Sequence, residues 1–251
     1  MFKTTPLLVH HMTVVAVLCD PPRPGLVLPD LFEDGPLTER ETADLYAAML
    51  KDTFRAVDRS GGDLLVNYRP EELLPEAHRG GEHDPEAAVR ALAADALSDL
   101  DEVRFEVQVG SSHAARAGNT ATHLLREEGV DSVATIRGTA PFLTRTAVDA
   151  AAMKLRSTPV VLGPAPRGRV FYPAFTEPID FTDAFAHPEV ATLAARGDAA
   201  DLDVDFLPMQ PVLRTPADLE TVLPLLAARR DAGRIVPAST APVIAELGLL
   251  D

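Results

Sequence analysis

The first patterned stretch of the chain is Thr13 to Cys19 (TVVAVLC), a continuous apolar run rather than an alternating one. Such a run predicts a strand covered on both faces, and Pro21, Pro22, Pro24 and Gly25 stop it. From Thr38 the period changes. Thr38 and Glu41 form a capping-box pattern, Leu45, Met49, Ala56 and Val57 recur at helical spacing, and Gly61-Gly62 end the helix. Asp63 to Tyr68 (DLLVNY) predicts a second strand, and Asp84-Pro85 supplies an N-cap and first-turn proline for a helix to about Leu100. Val103 to Val109 alternates as a half-buried or edge strand does, and residues from Ala114 to Glu128, closed by Gly129, predict a helix.

The same alternation continues. Asp131 to Ile136 predicts a strand, Thr144 caps a helix to about Arg156, and Pro159 to Leu162 and Val170 to Phe175 predict strands. A helix near His187 to Arg196, a strand at Val204 to Leu207, a helix from Thr215-Pro216 to Asp231 and a short one over Ser239 to Leu247 complete the pattern. Strands alternating with helices predict an α/β fold: a three-layer, mostly parallel sheet with right-handed crossovers. The absence of repeats or a long linker leads us to expect a single domain over residues 13–251, with residues 1–12 an N-terminal extension.

Charge alters this picture of an ordinary globular chain. Asp and Glu number 38 against 23 Lys and Arg, a formal net charge of -15, and the only lysines are Lys3, Lys51 and Lys154. So acidic a surface repels nucleic acid, and no basic run offsets it. Acid excess with few lysines, no tryptophan and abundant alanine resembles the proteins of salt-loving archaea, where salt screens self-repulsion; an ordinary acidic cytosolic protein is the plainer alternative. A lone cysteine, Cys19, rules out an internal disulfide framework and fits a reducing cytoplasm. We expect no signal peptide and no membrane span, because His10 and His11 interrupt the mildly apolar start.

Candidate chemistry belongs in the loops after the strands, where open α/β sheets bind ligands. The first loop, Asp20 to Gly25, is stiffened by proline and carries Arg23, a planar donor fork for phosphate, with Pro24 and Gly25 beside it. The second, Arg137-Gly138-Thr139-Ala140-Pro141, leads to a capped helix whose N-terminus attracts anions. The third, Gly163 to Arg169, carries Arg167, Gly168 and Arg169. Each has a plain alternative as turn chemistry. His113 and His123 stand ten apart, wrong for a metal pair on adjacent turns, while Glu82-His83-Asp84 and Ser111-Ser112-His113 read as helix caps.

In order and spacing these loops resemble the glycosyltransferase-like family of nucleotide-diphospho-sugar transferases, with a GT-A or Rossmann-like fold, including the selenodomain-associated group and relatives among cofactor guanylyltransferases. Pro22-Arg23-Pro24-Gly25 matches the family's opening, Pro-Arg-Pro-Gly-x-x-Lys-Thr-Arg-Leu. Residues from Arg137 to Thr144 resemble its Gly-Ser-Asp-x-Pro-x-Leu-Thr, with Thr139 at the acidic position, and Val160 to Phe171 its Val-Val-Leu-Gly-Pro-Ala-Glu-Asp-Gly-Gly-Tyr-Tyr. Thr215-Pro216-Ala217-Asp218-Leu219 resembles the closing motif without its two leading aspartates.

The resemblance implies a nucleotide or nucleotide-sugar ligand and, in an active member, Mg²⁺ or Mn²⁺ held by carboxylates. It would place Arg23, Pro24, Gly25, Gly138, Thr139, Arg167, Gly168 and Arg169 around the donor phosphates. Leu28, Asp30, Thr139 and Arg167 stand where the family carries lysine, arginine and acidic residues, so metal and phosphate groups are lost together. Two readings follow: a divergent glycosyl- or nucleotidyltransferase, or a non-catalytic phosphate-ligand-binding module of the same fold.

Overall fold

The computed structural model describes residues 13–81 and 84–250. The expected N-terminal extension and the Glu82-His83 pair lie outside them. β1 (Thr13–Cys19) is followed by the short α1 (Asp30–Glu33), α2 (Glu39–Asp58) and β2 (Asp63–Tyr68). Two 3-10 turns lead to α3 (Pro85–Ala96), β3 (Arg104–Val107), α4 (His113–His123) and β4 (Ser132–Ile136). Then come α5 (Arg145–Lys154), β5 (Val160–Ala165), β6 (Arg169–Phe175), α6 (Glu189–Asp198), β7 (Val204–Phe206), α7 (Pro216–Asp231) and α8 (Thr240–Glu246).

These strands form one seven-stranded sheet in the order β3-β2-β1-β4-β6-β5-β7. The predicted mostly parallel sheet is present, with one exception: β6 runs antiparallel to both β4 and β5. The cause is the link from β5 to β6, only Pro166-Arg167-Gly168, which is far too short for a crossover and can make only a hairpin. Arg167 and Gly168 both take positive φ there, 63° and 69°.

Local chemistry explains most element ends. Thr38 and Glu41 exchange the two bonds of a capping box at α2, and Asp84 accepts from the backbone N–H groups of Glu86 and Ala87 at α3. α3 stops at Ala96, short of the expected Leu100, because Leu97 is extended and the Asp99 carboxylate caps a turn at Asp101. The helix expected to reach Glu128 is α4 followed by a π turn over Leu124–Glu128, ended by Gly129 at φ 71°.

β1 shows why its run is continuous: every residue is buried. Val15, Val17 and Cys19 pack in the core shared with α2, α5 and α7, while Val14, Ala16 and Leu18 pack in the core under α4 and α6. The strand is therefore sandwiched at the centre of three layers, and its carboxyl end opens onto one rim. Among the described residues no helix is long and apolar enough to cross a membrane.

Candidate functional site

β1 lies between β2 and β4, and the chain leaves it in both directions, so the β1/β4 seam is where the strand order switches. A crevice at the carboxyl ends of the strands is expected there. A cavity of about 350 Å³ occupies that position, walled by Cys19 at the end of β1 and Asp20 after it, Leu28 of the following loop, Asp30 at the start of α1, Arg137 and Thr139 after β4, and Arg116 of α4. A hollow of about 690 Å³ between α2 and α8 is larger, but alanine, proline and leucine dominate its walls. Chemistry rather than size selects the rim cavity.

Its charged groups are held from behind. Arg137 leaves β4 and donates from Nε to Nε2 of His113, the first residue of α4, at 2.7 Å. The imidazole meets Phe185 edge-on at 4.7 Å, and the Arg137 guanidinium lies 5.5 Å over the same ring. Burial and the charges of Arg137, Arg116 and Arg214 push the His113 pKa well below the usual histidine value. Burial and neighbouring Arg214 bring that of Arg137 down to about 10, which leaves it charged at neutral pH.

Arg214 enters from the loop before α7. Both its terminal nitrogens donate to Glu189, at 3.1 and 3.2 Å, and Arg137 lies 3.5 Å from the same carboxylate. Burial opposes ionisation of Glu189, but Arg214, Arg137 and the Val170 N–H outweigh it and hold the carboxyl below its usual range. The backbone at Arg214 is fixed by Asp218, which accepts the N–H groups of Arg214 and Thr215 at 2.9 and 3.0 Å. Arg169 in turn grips the Asp218 carboxylate with both terminal nitrogens, and both residues are buried.

On the β1 side, Tyr46 accepts the Asp20 N–H at 3.2 Å, and Gln108 donates to the carbonyls of Cys19 and Asn67 at 3.0 and 2.7 Å, tying together the ends of β1 and β2. Asp20 is 3.5 Å from Arg69. Burial raises its pKa, with Arg69 and Arg116 opposing the shift. Arg116 differs from the other cations. Among the described residues it makes no side-chain hydrogen bond or ion pair, and its Nε is buried without a partner. The Nε of Arg214 is likewise buried and unpartnered. At the lip, Leu28 adopts φ 50°, a conformation uncommon for a residue with a side chain.

No protein-family model matches the chain, and no curated protein matches it in sequence. Among solved structures, a protein from Desulfovibrio desulfuricans G20, provisionally described as a nucleotide-diphospho-sugar transferase, covers 94% of this chain and 96% of its own, with a TM-score of 0.74 at 20% identity. The fold is that of the nucleotide-diphospho-sugar transferases. A cytidylyltransferase from Leptospira borgpetersenii serovar Hardjo-bovis (strain JB197) is similar over 94% of this chain and 95% of its own, with a TM-score of 0.50 at 12% identity. At these identities the likeness is one of fold.

Within this transferase fold the residues expected around phosphate separate. Thr139 lines the cavity, with its carbonyl accepting the Leu213 N–H at 2.8 Å. Gly138 packs beneath it, where a Cβ would come within 2.3 Å of Leu50. Arg23 lies outside the cavity, donating to both oxygens of Glu71, while Pro24 and Gly25 shape the turn beside it. Arg167 is exposed on the β5–β6 turn, with Gly168 against Pro188, and Arg169 is turned inward to Asp218. The carboxyl end of β5 shares the rim with those of β1 and β4, so all three turns lie on one side of the sheet. The third turn supports the cavity through Arg169 and Asp218 rather than lining it.

Arg69 and Arg116 lie outside the loops that the sequence singles out, and His113 follows the capping Ser112 as expected while also holding Arg137. A signal existed for Arg116: a cation in the first turns of a helix opposes the dipole and invites a functional explanation. The family resemblance implies Mg²⁺ or Mn²⁺ at this cavity. A site of this kind needs one or two free carboxylates beside the ligand's phosphates. Asp20 is committed to Arg69, Thr139 stands at the expected acidic position, and Asp30 is exposed at the opposite lip. Among the described residues no group of three or more His, Cys, Asp or Glu could hold a metal. The residues present do not fit the ion.

Proposed function

We propose that the rim cavity binds the phosphate groups of a nucleotide or nucleotide sugar, and that the protein is a divergent member of the transferase fold with a degenerate metal site. The observation that carries this reading is Arg116: a partly buried guanidinium facing a cavity, without side-chain hydrogen bond or ion pair among the described residues, in a chain of net charge -15. A buried cation left unsatisfied is costly, and an anionic ligand satisfies it. Arg137, preset by His113, would supply a further donor to phosphate oxygens, and Arg214, its terminal nitrogens held by Glu189, would add positive charge behind it. The nucleotide-linked descriptions of the two fold neighbours support the ligand class.

If the protein transfers a glycosyl or nucleotidyl group, its contribution would be to orient the donor and stabilise charge on the departing phosphate. A non-catalytic binding module is the second reading. It is favoured by the engagement of Asp20 with Arg69 and of His113 with Arg137, which leaves neither free as a general base. A thermal-shift screen of nucleoside mono-, di- and triphosphates and nucleotide sugars, with Mg²⁺ and Mn²⁺ present, tests the shared claim. A shift with at least one compound is expected, and none with any would remove the nucleotide reading. Turnover of the stabilising compound then separates the transferase from the binding module.

A further inference from the structure

The disagreement between fold and donor set extends this reading, and the extension rests on it. In a metal-dependent site, a dication neutralises the phosphates and carboxylates hold the dication. Here the inner carboxylates are paired with arginine, Asp30 stands exposed at the lip, and the cations are already present. Asp20 faces Arg69 at 3.5 Å, Glu189 takes Arg214 and Arg137, and Arg116, within the field of Asp20, makes no side-chain hydrogen bond or ion pair among the described residues. A dication placed at Asp20 would stand against the guanidinium charges of Arg69 and Arg116, both of which act on that carboxyl.

We propose that Arg116, Arg137 and Arg214 take the part of the divalent cation, so that the site binds its nucleoside diphosphate or nucleotide sugar as the free, metal-free anion. The geometry suits the role. Arg137 and Arg214 come from the turn after β4 and from the loop before α7, both beside Glu189, while Arg116 stands on α4 one turn beyond the His113 that receives Arg137. Planar guanidinium forks match phosphate oxygens in pairs and, unlike a bound ion, cannot be removed by chelation. Asp20 then works against the ligand, as a negative charge beside the arginines.

The test is calorimetric titration of the full chain with UDP, CDP and GDP, each in Mn²⁺ and in EDTA, repeated with Arg116→Ala and Asp20→Asn. Melting curves confirm that the variants are folded. For the diphosphate that binds, the expected affinities in the two buffers agree within about twofold. Arg116→Ala should weaken binding by about tenfold or more in both, and Asp20→Asn should tighten it several-fold. Binding at least about tenfold tighter in Mn²⁺, abolished by Asp20→Asn, overturns this inference while leaving the nucleotide reading intact. No binding of any diphosphate in either buffer overturns both.

Discussion

Arg137 donates its Nε–H to Nε2 of His113, and because arginine can only donate, the imidazole must be the neutral Nδ1–H tautomer. Burial and the charges of Arg137, Arg116 and Arg214 then keep it neutral where a free histidine would ionise. The unfolded chain gains that proton near about pH 6.5, while the native state does not. This group's contribution is therefore full above that pH and declines as pH falls below it. Ring resonances of His113 should stay neutral at about pH 5.5, where a model histidine is mostly charged. A titration midpoint near the free value would contradict the assigned bond.

Asp218 holds the loop that delivers Arg214, and Arg169 holds Asp218. Removing one partner strands a buried charge, so Arg169→Met should cost roughly 3–5 kcal/mol in urea unfolding at neutral pH. Replacing both with apolar residues should recover part of the loss. Burial opposes ionisation of Asp218, yet Arg169 and the capped N–H groups depress its pKa. Its stabilisation is thus present above the unfolded value of about 3.9 and is lost as pH falls through the lower folded value. The gap between wild type and Asp218→Asn should close over that acidic range; a gap independent of pH would count against the pair.

Gly138 gives the turn after β4 its close approach to α2. A Cβ there would lie 2.3 Å from Cδ2 of Leu50, which is fully buried. Gly138→Ala should destabilise by about 1–3 kcal/mol through overpacking. Combined with Leu50→Ala, it should cost less than the sum of the two single changes, because the truncated Leu50 leaves the space the methyl needs. Strict additivity in denaturant unfolding would show that the two sites do not meet.

A net charge of -15 should make stability depend on salt. Screening acts within about 10 Å already at 0.1 M salt and more tightly above, so self-repulsion weakens as KCl is added. The melting temperature is expected to rise from low to molar KCl, and a flat or falling curve would remove the proposal of adaptation to high salt.

Much of the fold is legible in the sequence because its signals are local. The run from Val14 to Leu18 requires cover on both faces, and Thr38 with Glu41 fixes the start of α2. The antiparallel β6 was also legible in principle, since three residues cannot carry a crossover. The site was less so. The loops after strands lead to Thr139, but Arg116 sits on a helix and His113 follows a capping serine, so nothing local joins them to Arg137. Arg23 and Arg169 had the right chemistry in the right loops, yet Glu71 and Asp218 claim their guanidinium groups. Which arginine is spent and which is available depends on tertiary partners far along the chain.

Whether Arg116 is held ready for an anion is decided by titrating wild type and Arg116→Ala side by side with the nucleotide that stabilises the protein most, in Mg²⁺ so that either mode of binding is open. We predict a saturable wild-type isotherm and a variant, melting like wild type, that binds about 10- to 100-fold more weakly. Equal affinity in the two proteins would contradict the account.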